Sequence, residues 1–164
     1  SSGRLMSAGP GRPSTVARTA ASSVAAAVAG SSISPAHFAS PPIVRMTNTY
    51  IASGTGTRDD LFRDIKLGIY ACDAQGGQTY LEDFSFTAGH GFMIRDGQLA
   101  ELVKDVVIAG NLFQTMDRID RVAGDFQWNE MGGGCGKGGQ APLPVTEGAP
   151  HVRLSEALVG GSVA

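Results

Sequence analysis

The sequence lacks the features that mark several large protein classes. It has two cysteines, Cys72 and Cys135, which is too few for a disulfide-dense secreted domain. It has no run of about 18 strongly apolar residues, so no membrane-spanning helix is predicted. The formal net charge of −2 gives no electrostatic reason to expect nucleic-acid or anionic-lipid binding. The 164 residues fit one domain of about 100–200 residues.

Acidic residues are missing from the first third of the chain, and the first one along the sequence is Asp59. Residues 1–40 contain ten Ser, ten Ala, four Gly and three Pro, with Phe38 as the one aromatic residue. Such a segment has little apolar surface to offset the entropy lost on ordering. We therefore predict a low-complexity, disordered arm over residues 1–42 and a folded domain over residues 43–164.

Three other interpretations of the arm stay open. Arg4, Arg12 and Arg18 among many serines are typical of a transit peptide. The apolar stretch of residues 20–30 is a poor signal-peptide candidate because alanine is barely hydrophobic. A reading-frame error in GC-rich DNA would also give this composition.

The remaining pattern predicts an α+β fold dominated by sheet, with antiparallel hairpins and about two short helices. The predicted elements are a strand at 45–51, a helix of about three turns capped by Thr57, a turn at 75–78, a hairpin at Asp96-Gly97, a helix capped by Asn111, a glycine-rich loop at 131–140 and a last strand at 154–159. The helix after Thr57 has Leu61, Ile65 and Ile69 at four-residue spacing. The Asp-Gly turn is the strongest local signal because both turn positions need positive φ.

The run GGGCGKGGQ at residues 132–140 is the most unusual local feature. Glycines beside Cys135 expose the thiol, and the Lys137 ammonium favours the thiolate that attacks or binds metal. A phosphate-binding loop is excluded, because Met131 stands where its first glycine belongs and Gly138 stands where its Ser or Thr belongs.

Catalysis by Cys135 needs a histidine base, and the chain has His37, His90 and His151. His90 lies between two glycines, which is more typical of a turn than of a base. A catalytic zinc site needs about three protein ligands, and no pair of His or Cys residues has ligand spacing. The residues alone therefore leave the function open.

Several short motifs, taken in order, resemble the C-terminal region of the TldD/PmbA family, the modulator-of-gyrase metallopeptidases. They are RMTNTY at 45–50, GIYA at 68–71, GGQ at 76–78, CGKGGQ at 135–140 and VGG at 159–161. The resemblance covers residues 43–164. Each motif is weak alone, and their order makes the set specific.

The resemblance implies a zinc-dependent peptidase that acts on small or unfolded peptides in the bacterial cytoplasm. In the TldD branch, a helix with H-E-x-x-x-H supplies two zinc histidines and a general-base glutamate, and the cysteine of a C-G-K-x-G-Q loop is the third ligand. That role transfers to Cys135, and its presence favours the TldD branch. The implied partner is a homologous TldE/PmbA-type subunit in a heterodimer, or a second copy in a homodimer.

The H-E-x-x-x-H helix is absent from this sequence. We therefore expect a C-terminal fragment that is inactive alone and retains negligible zinc. The alternative is a non-catalytic binding or assembly module that pairs with a homologous subunit. We expect a structural role, rather than a functional one, for Thr47, Asn48 and Thr49. We expect Cys72 to be a small, partly buried residue.

Overall fold

The computed structural model describes residues 14–18, 31–34, 39–130 and 133–163. Within these residues the strands are β1 (Ser14–Arg18), β2 (Ser31–Ser34), β3 (Ile43–Met46), β4 (Thr49–Tyr50), β5 (Leu67–Tyr80), β6 (Asp83–Arg95), β7 (Gln98–Asn111), β8 (Ile119–Val122), β9 (Gln127–Trp128), β10 (Gly133–Lys137), β11 (Gln140–Val145), β12 (Glu147–Ala149), β13 (Val152–Leu154) and β14 (Leu158–Val163). The helices are α1 (Arg58–Phe62) and α2 (Leu112–Asp117).

The largest sheet has seven strands in the order β14-β7-β6-β5-β1-β13-β8. Strands β5, β6, β7 and β14 are neighbours in antiparallel pairs, and β1 runs parallel to β5 and antiparallel to β13. Three smaller sheets have the orders β4-β12-β9, β10-β11 and β2-β3. The predicted sheet-dominated α+β class with antiparallel hairpins and two short helices is confirmed.

The Asp96-Gly97 hairpin is confirmed as the connection between β6 and β7. Asp96 and Gly97 have φ values of 48° and 78°, which is the positive-φ pair that such a turn requires. The backbone N–H of Gly97 donates to Ile65 O at 2.8 Å, which ties the turn to the segment after α1.

Helix α1 begins where predicted and ends early. Thr57 and Asp60 form a reciprocal capping box, which satisfies two N–H groups of the first turn. The predicted length of about three turns is wrong, because α1 ends at Phe62 and Ile69 lies in β5. The four-residue apolar spacing was real, but Leu61 and Ile65 pack on one face of the sheet and Ile69 on the other.

The core lies on both faces of the large sheet. The cluster under α1 contains Leu61, Phe62, Ile65, Tyr70, Cys72, Ile94 and Ala123. The cluster on the opposite face contains Ala71, Phe84, Val103, Val106 and Ile108. Neighbouring positions of β5 therefore point to different clusters, as the period of two along a strand requires.

The predicted turn at residues 75–78 is wrong. These residues continue β5, with a register irregularity between Ala74 and Gly76. The chain reverses between Tyr80 and Asp83, where Leu81 has a φ of 55°. Gly76 and Gly77 mark an irregular strand, which is the other common meaning of glycine in a strand pattern.

Helix α2 is capped by Asn111 as predicted, with the Asn111 side chain accepting from the Gln114 N–H at 3.3 Å. The apolar side chains of this helix are at most partly buried. Thr115 is the buried residue of this helix, and Phe113 is 59% exposed.

Two of the predicted strands are divided. The strand expected at 45–51 is split into β3 and β4, and the last strand expected at 154–159 is replaced by β13 and β14. Gly160 and Gly161 belong to β14 rather than ending the preceding strand.

Strands β1 and β2 fall within residues 1–42. Strand β1 pairs with β5 and β13, and β2 pairs with β3. The other residues before Ala39, with His37 among them, lie outside the described residues. The boundary between residues 42 and 43 stays a prediction.

Helices α1 and α2 have five and six residues. No helix in the described part of the chain is long and apolar enough to cross a membrane.

Candidate functional site

Cys135 lies on a β-hairpin formed by β10 and β11. The predicted loop at 131–140 is therefore wrong for its described residues, since Cys135 pairs with Leu143 and Lys137 with Gln140. Gly138 and Gly139 form the turn with φ values of 58° and 75°. A two-residue hairpin turn requires positive φ at both positions, as at Asp96-Gly97, and Gly-Gly adopts positive φ readily.

Strand β3 contacts this hairpin through three consecutive residues. The Lys137 ammonium donates to Val44 O at 3.1 Å. The Arg45 guanidinium donates to Cys135 O, and the Met46 backbone N–H donates to the Cys135 thiol. The RMTN motif and the cysteine motif, separated by about 90 positions, are thus parts of one structure.

The electrostatic environment lowers the pKa of Cys135. The largest cause is the interaction of the Arg45 guanidinium with the Cys135 side chain, followed by that of the Met46 N–H, and both stabilise the thiolate. Burial opposes these contributions, and the Lys137 charge adds a smaller one. The sequence predicts a thiolate favoured by Lys137, whereas Arg45 is the main cause of the lowered Cys135 pKa.

Sequence reasoning missed Arg45 because no local signal connects it to Cys135. Its side chain is 2% exposed, which is rare for an arginine. The sequence pattern of β3 shows an arginine among apolar residues, and this pattern does not predict whether the guanidinium is buried.

Cys135 is the one metal-ligand candidate that the described site offers. No group of three or more His, Cys, Asp or Glu side chains within the described residues is arranged to hold a metal ion. A partly buried thiol with a lowered pKa fits one position of a zinc site, and the remaining positions need other donors.

The polar contacts of His90 and His151 join them to residues outside the Cys135 hairpin. His90 lies on β6, its side chain is 45% exposed, and its Nδ1 is 3.6 Å from Asp73 Oδ2. His90 is therefore a strand residue rather than the expected turn residue.

His151 is 5% exposed and lies between two polar partners. Its Nδ1 is 2.5 Å from Asp125 Oδ2, and its Nε2 is 2.8 Å from the Tyr70 hydroxyl. Burial would raise the pKa of Asp125, but the backbone N–H and ring of His151 hold it below its usual range. Burial raises the pKa of Tyr70. The hydrogen bonds of His151 join the segment before β13 to Tyr70 of β5 and to Asp125. We therefore assign His151 a structural role.

Cys72 is a buried residue of β5 in the core cluster under α1. Neither cysteine forms a disulfide. Cys72 was expected to be partly buried, and it is more buried than that, with 9% of its surface exposed.

Asn48 and Thr49 support the strand arrangement beside the hairpin. Asn48 Oδ1 accepts from the Thr146 N–H at 2.9 Å, and the Thr49 hydroxyl donates to Thr47 O at 3.0 Å. The Asn48 contact helps to hold β4 next to β12, and the Thr49 contact is local to its own segment.

Comparison with known proteins identifies the family. The model of the PmbA/TldA metallopeptidase C-terminal domain matches residues 15–161. This range includes β1 except its first residue, and the whole Cys135 hairpin.

Named relatives agree with this match. The metalloprotease slr0863 of Synechocystis is 52% identical over 124 residues, covering 76% of this chain and 27% of the relative. The zinc metalloprotease TldD homolog of Saccharolobus solfataricus is 32% identical over 122 residues, covering 74% of this chain and 27% of the relative. The chain therefore spans about a quarter of the length of these relatives.

A solved structure shares the fold. TldE from Thermococcus kodakarensis has a TM-score of 0.54 and 19% identity, covering 76% of this chain and 26% of that one. With the family match and the named relatives, this shows that the chain belongs to the PmbA/TldD metallopeptidase family and matches its C-terminal domain.

Proposed function

We propose that this chain is the C-terminal part of a zinc-dependent peptidase and that Cys135 is one of the zinc ligands. The observation that carries the proposal is the Cys135 hairpin itself. Its thiol receives the Met46 N–H and lies beside the Arg45 guanidinium, so the ligating thiolate form is favoured. Family membership and a relative named as a zinc metalloprotease support a metal at this position.

The other ligands would come from outside the described residues, which hold no three-donor cluster. Relatives are about four times as long as the matched region, which leaves ample sequence for a ligand-bearing helix. Zinc with three protein ligands keeps one position for water, whose pKa it lowers to about 7, and it polarises a scissile carbonyl. The hairpin would present the thiolate from β10, and this chain alone would be inactive.

We propose small or unfolded peptides as substrates and the cytoplasm as the location. A TldE-type subunit is the proposed partner, and the fold that this chain shares with the matched part of TldE supports a homologous pair. A homodimer is the alternative assembly.

A chimaeric relative tests the zinc assignment. We replace the aligned 124-residue region of the Synechocystis metalloprotease by the matching region of this chain. The chimaera is expected to hold about one zinc per subunit after dialysis, and Cys135→Ser is expected to lose most of it because a thiolate ligand is removed. Metal content is measured by inductively coupled plasma mass spectrometry.

The matched control is Cys72→Ser in the same chimaera. It removes a thiol that lies in the core rather than on the hairpin, so zinc content should stay at the parent value. If folded Cys135→Ser chimaera keeps its zinc, the assignment is wrong, and the chain is better described as a non-catalytic assembly module.

A further inference from the structure

We propose that Arg45 is the positioning residue for Cys135, because its guanidinium fastens strand β3 to both strands of the hairpin that presents the thiol. This inference rests on the proposed role of Cys135 and names the residue that holds this ligand in place. It concerns a side chain that contacts the hairpin from another sheet.

The hydrogen bonds of Arg45 reach both hairpin strands. Nη2 donates to Cys135 O on β10 and to Gln140 O on β11, the latter at 3.1 Å. Nη1 is 3.4 Å from Gln140 Oε1. A planar guanidinium can serve several acceptors in fixed directions, which a lysine ammonium cannot reproduce.

The hairpin needs such an external clamp because its own sequence orders it poorly. Five of the seven residues from 133 to 139 are glycine, and glycine loses the most conformational freedom on folding. The register is irregular between Cys135 and Lys137, directly beside the thiol. Glycine lets the strand approach β3 closely, and the Arg45 contacts then fix where the thiol lies.

Arg45 is costly to bury, which argues against a role in stability alone. It is 2% exposed, and Nε is buried with no hydrogen-bond partner among the described residues. The three acceptors above are neutral oxygens, so they compensate the buried charge less than a carboxylate would. Departures of this kind from optimal stability are expected at functional sites.

Gln140 extends the clamp on the far side. It is 8% exposed, and its Nε2 donates to Pro41 O at 2.8 Å while its Oε1 faces Arg45. The contacts from Pro41 through Gln140 to Arg45 therefore lie at the turn end of the hairpin, where Gln140 directly follows Gly138 and Gly139.

Amide hydrogen exchange of the 164-residue chain tests the clamp without any metal. Arg45→Gln is expected to speed exchange of the amides of residues 134–136 by about tenfold, with exchange in β6 and β7 unchanged. Arg45→Lys is expected to restore little, because one ammonium cannot bridge both strands in plane. The control Arg95→Gln removes an ion pair with Glu101 at another hairpin and should leave residues 134–136 unaffected.

Unchanged exchange at residues 134–136 in Arg45→Gln would overturn the proposal. Equal acceleration throughout the large sheet would also overturn it, since that result describes a general stability role. Full protection in Arg45→Lys would show that charge alone suffices and would contradict the two-strand clamp.

The cobalt-loaded chimaera gives a second, spectroscopic measurement. Arg45→Gln is expected to reduce the thiolate-to-cobalt charge-transfer absorption per bound cobalt by about half, because the ligand is held less well. Undiminished absorption would contradict the positioning role. Zinc retained by Cys135→Ser would contradict the proposed zinc role of Cys135. The exchange experiment would still test the Arg45 contacts, because it needs no metal.

Discussion

Replacing His151 by phenylalanine is expected to lower the free energy of unfolding by about 2–3 kcal/mol. The ring keeps its approximate shape and its place beside Tyr70, where the two ring centroids are 5.7 Å apart. What is lost is the pair of contacts from Nδ1 to Asp125 at 2.5 Å and from Nε2 to Tyr70 at 2.8 Å. Urea unfolding of the chain at neutral pH measures the change.

His90→Phe is the matched control for this prediction. The His90 side chain is 45% exposed and its contact with Asp73 is 3.6 Å, so the substitution should change stability by less than about 0.5 kcal/mol. Equal losses in the two variants would show that the buried His151 contacts contribute nothing particular, and the structural role given to His151 would be wrong.

Replacing Gly77 by alanine is expected to destabilise the chain by about 2–3 kcal/mol, because the new methyl group meets backbone. A Cβ at this position would lie 2.2 Å from Ser85 O and 2.7 Å from Phe86 Cα on the paired strand. Backbone atoms in a ladder cannot move aside as a flexible side chain does, so β5 and β6 would have to separate locally.

Gly160→Ala tests whether the effect comes from this collision rather than from adding a side chain to a strand. Gly160 lies in β14, and its Cβ would come no closer than 4.0 Å to Val107 Cβ. Its unfolding midpoint in urea should stay near that of the parent chain. A Gly77→Ala variant as stable as Gly160→Ala would contradict the close approach of β5 and β6.

Local signals explain which parts of the fold were predictable. Thr57, Asn111 and the Asp96-Gly97 turn act on the few residues next to them, and all three were confirmed. The failures need long-range information. Helix α1 stops because the chain after it pairs with β6 from Leu67 onward, and nothing in the spacing of Leu61, Ile65 and Ile69 shows that pairing.

The site was predictable to the same degree. The glycines around Cys135 and the nearby cation select it as the candidate, which stays a prediction, and the structure adds a lowered pKa. The strand that contacts it was not predictable, since Arg45 and Cys135 are 90 positions apart. A buried arginine shows itself only when the acceptors of its hydrogen bonds are known.

We propose that Cys135 binds zinc in the complete protein, and X-ray absorption of the zinc-loaded chimaera tests this assignment. We expect one sulfur in the first coordination shell at about 2.3 Å, with the other ligands nitrogen or oxygen. Cys135→Ser should remove that sulfur, whereas Cys72→Ser should keep it. A shell without sulfur in the parent chimaera, or sulfur that persists in Cys135→Ser, would contradict the account.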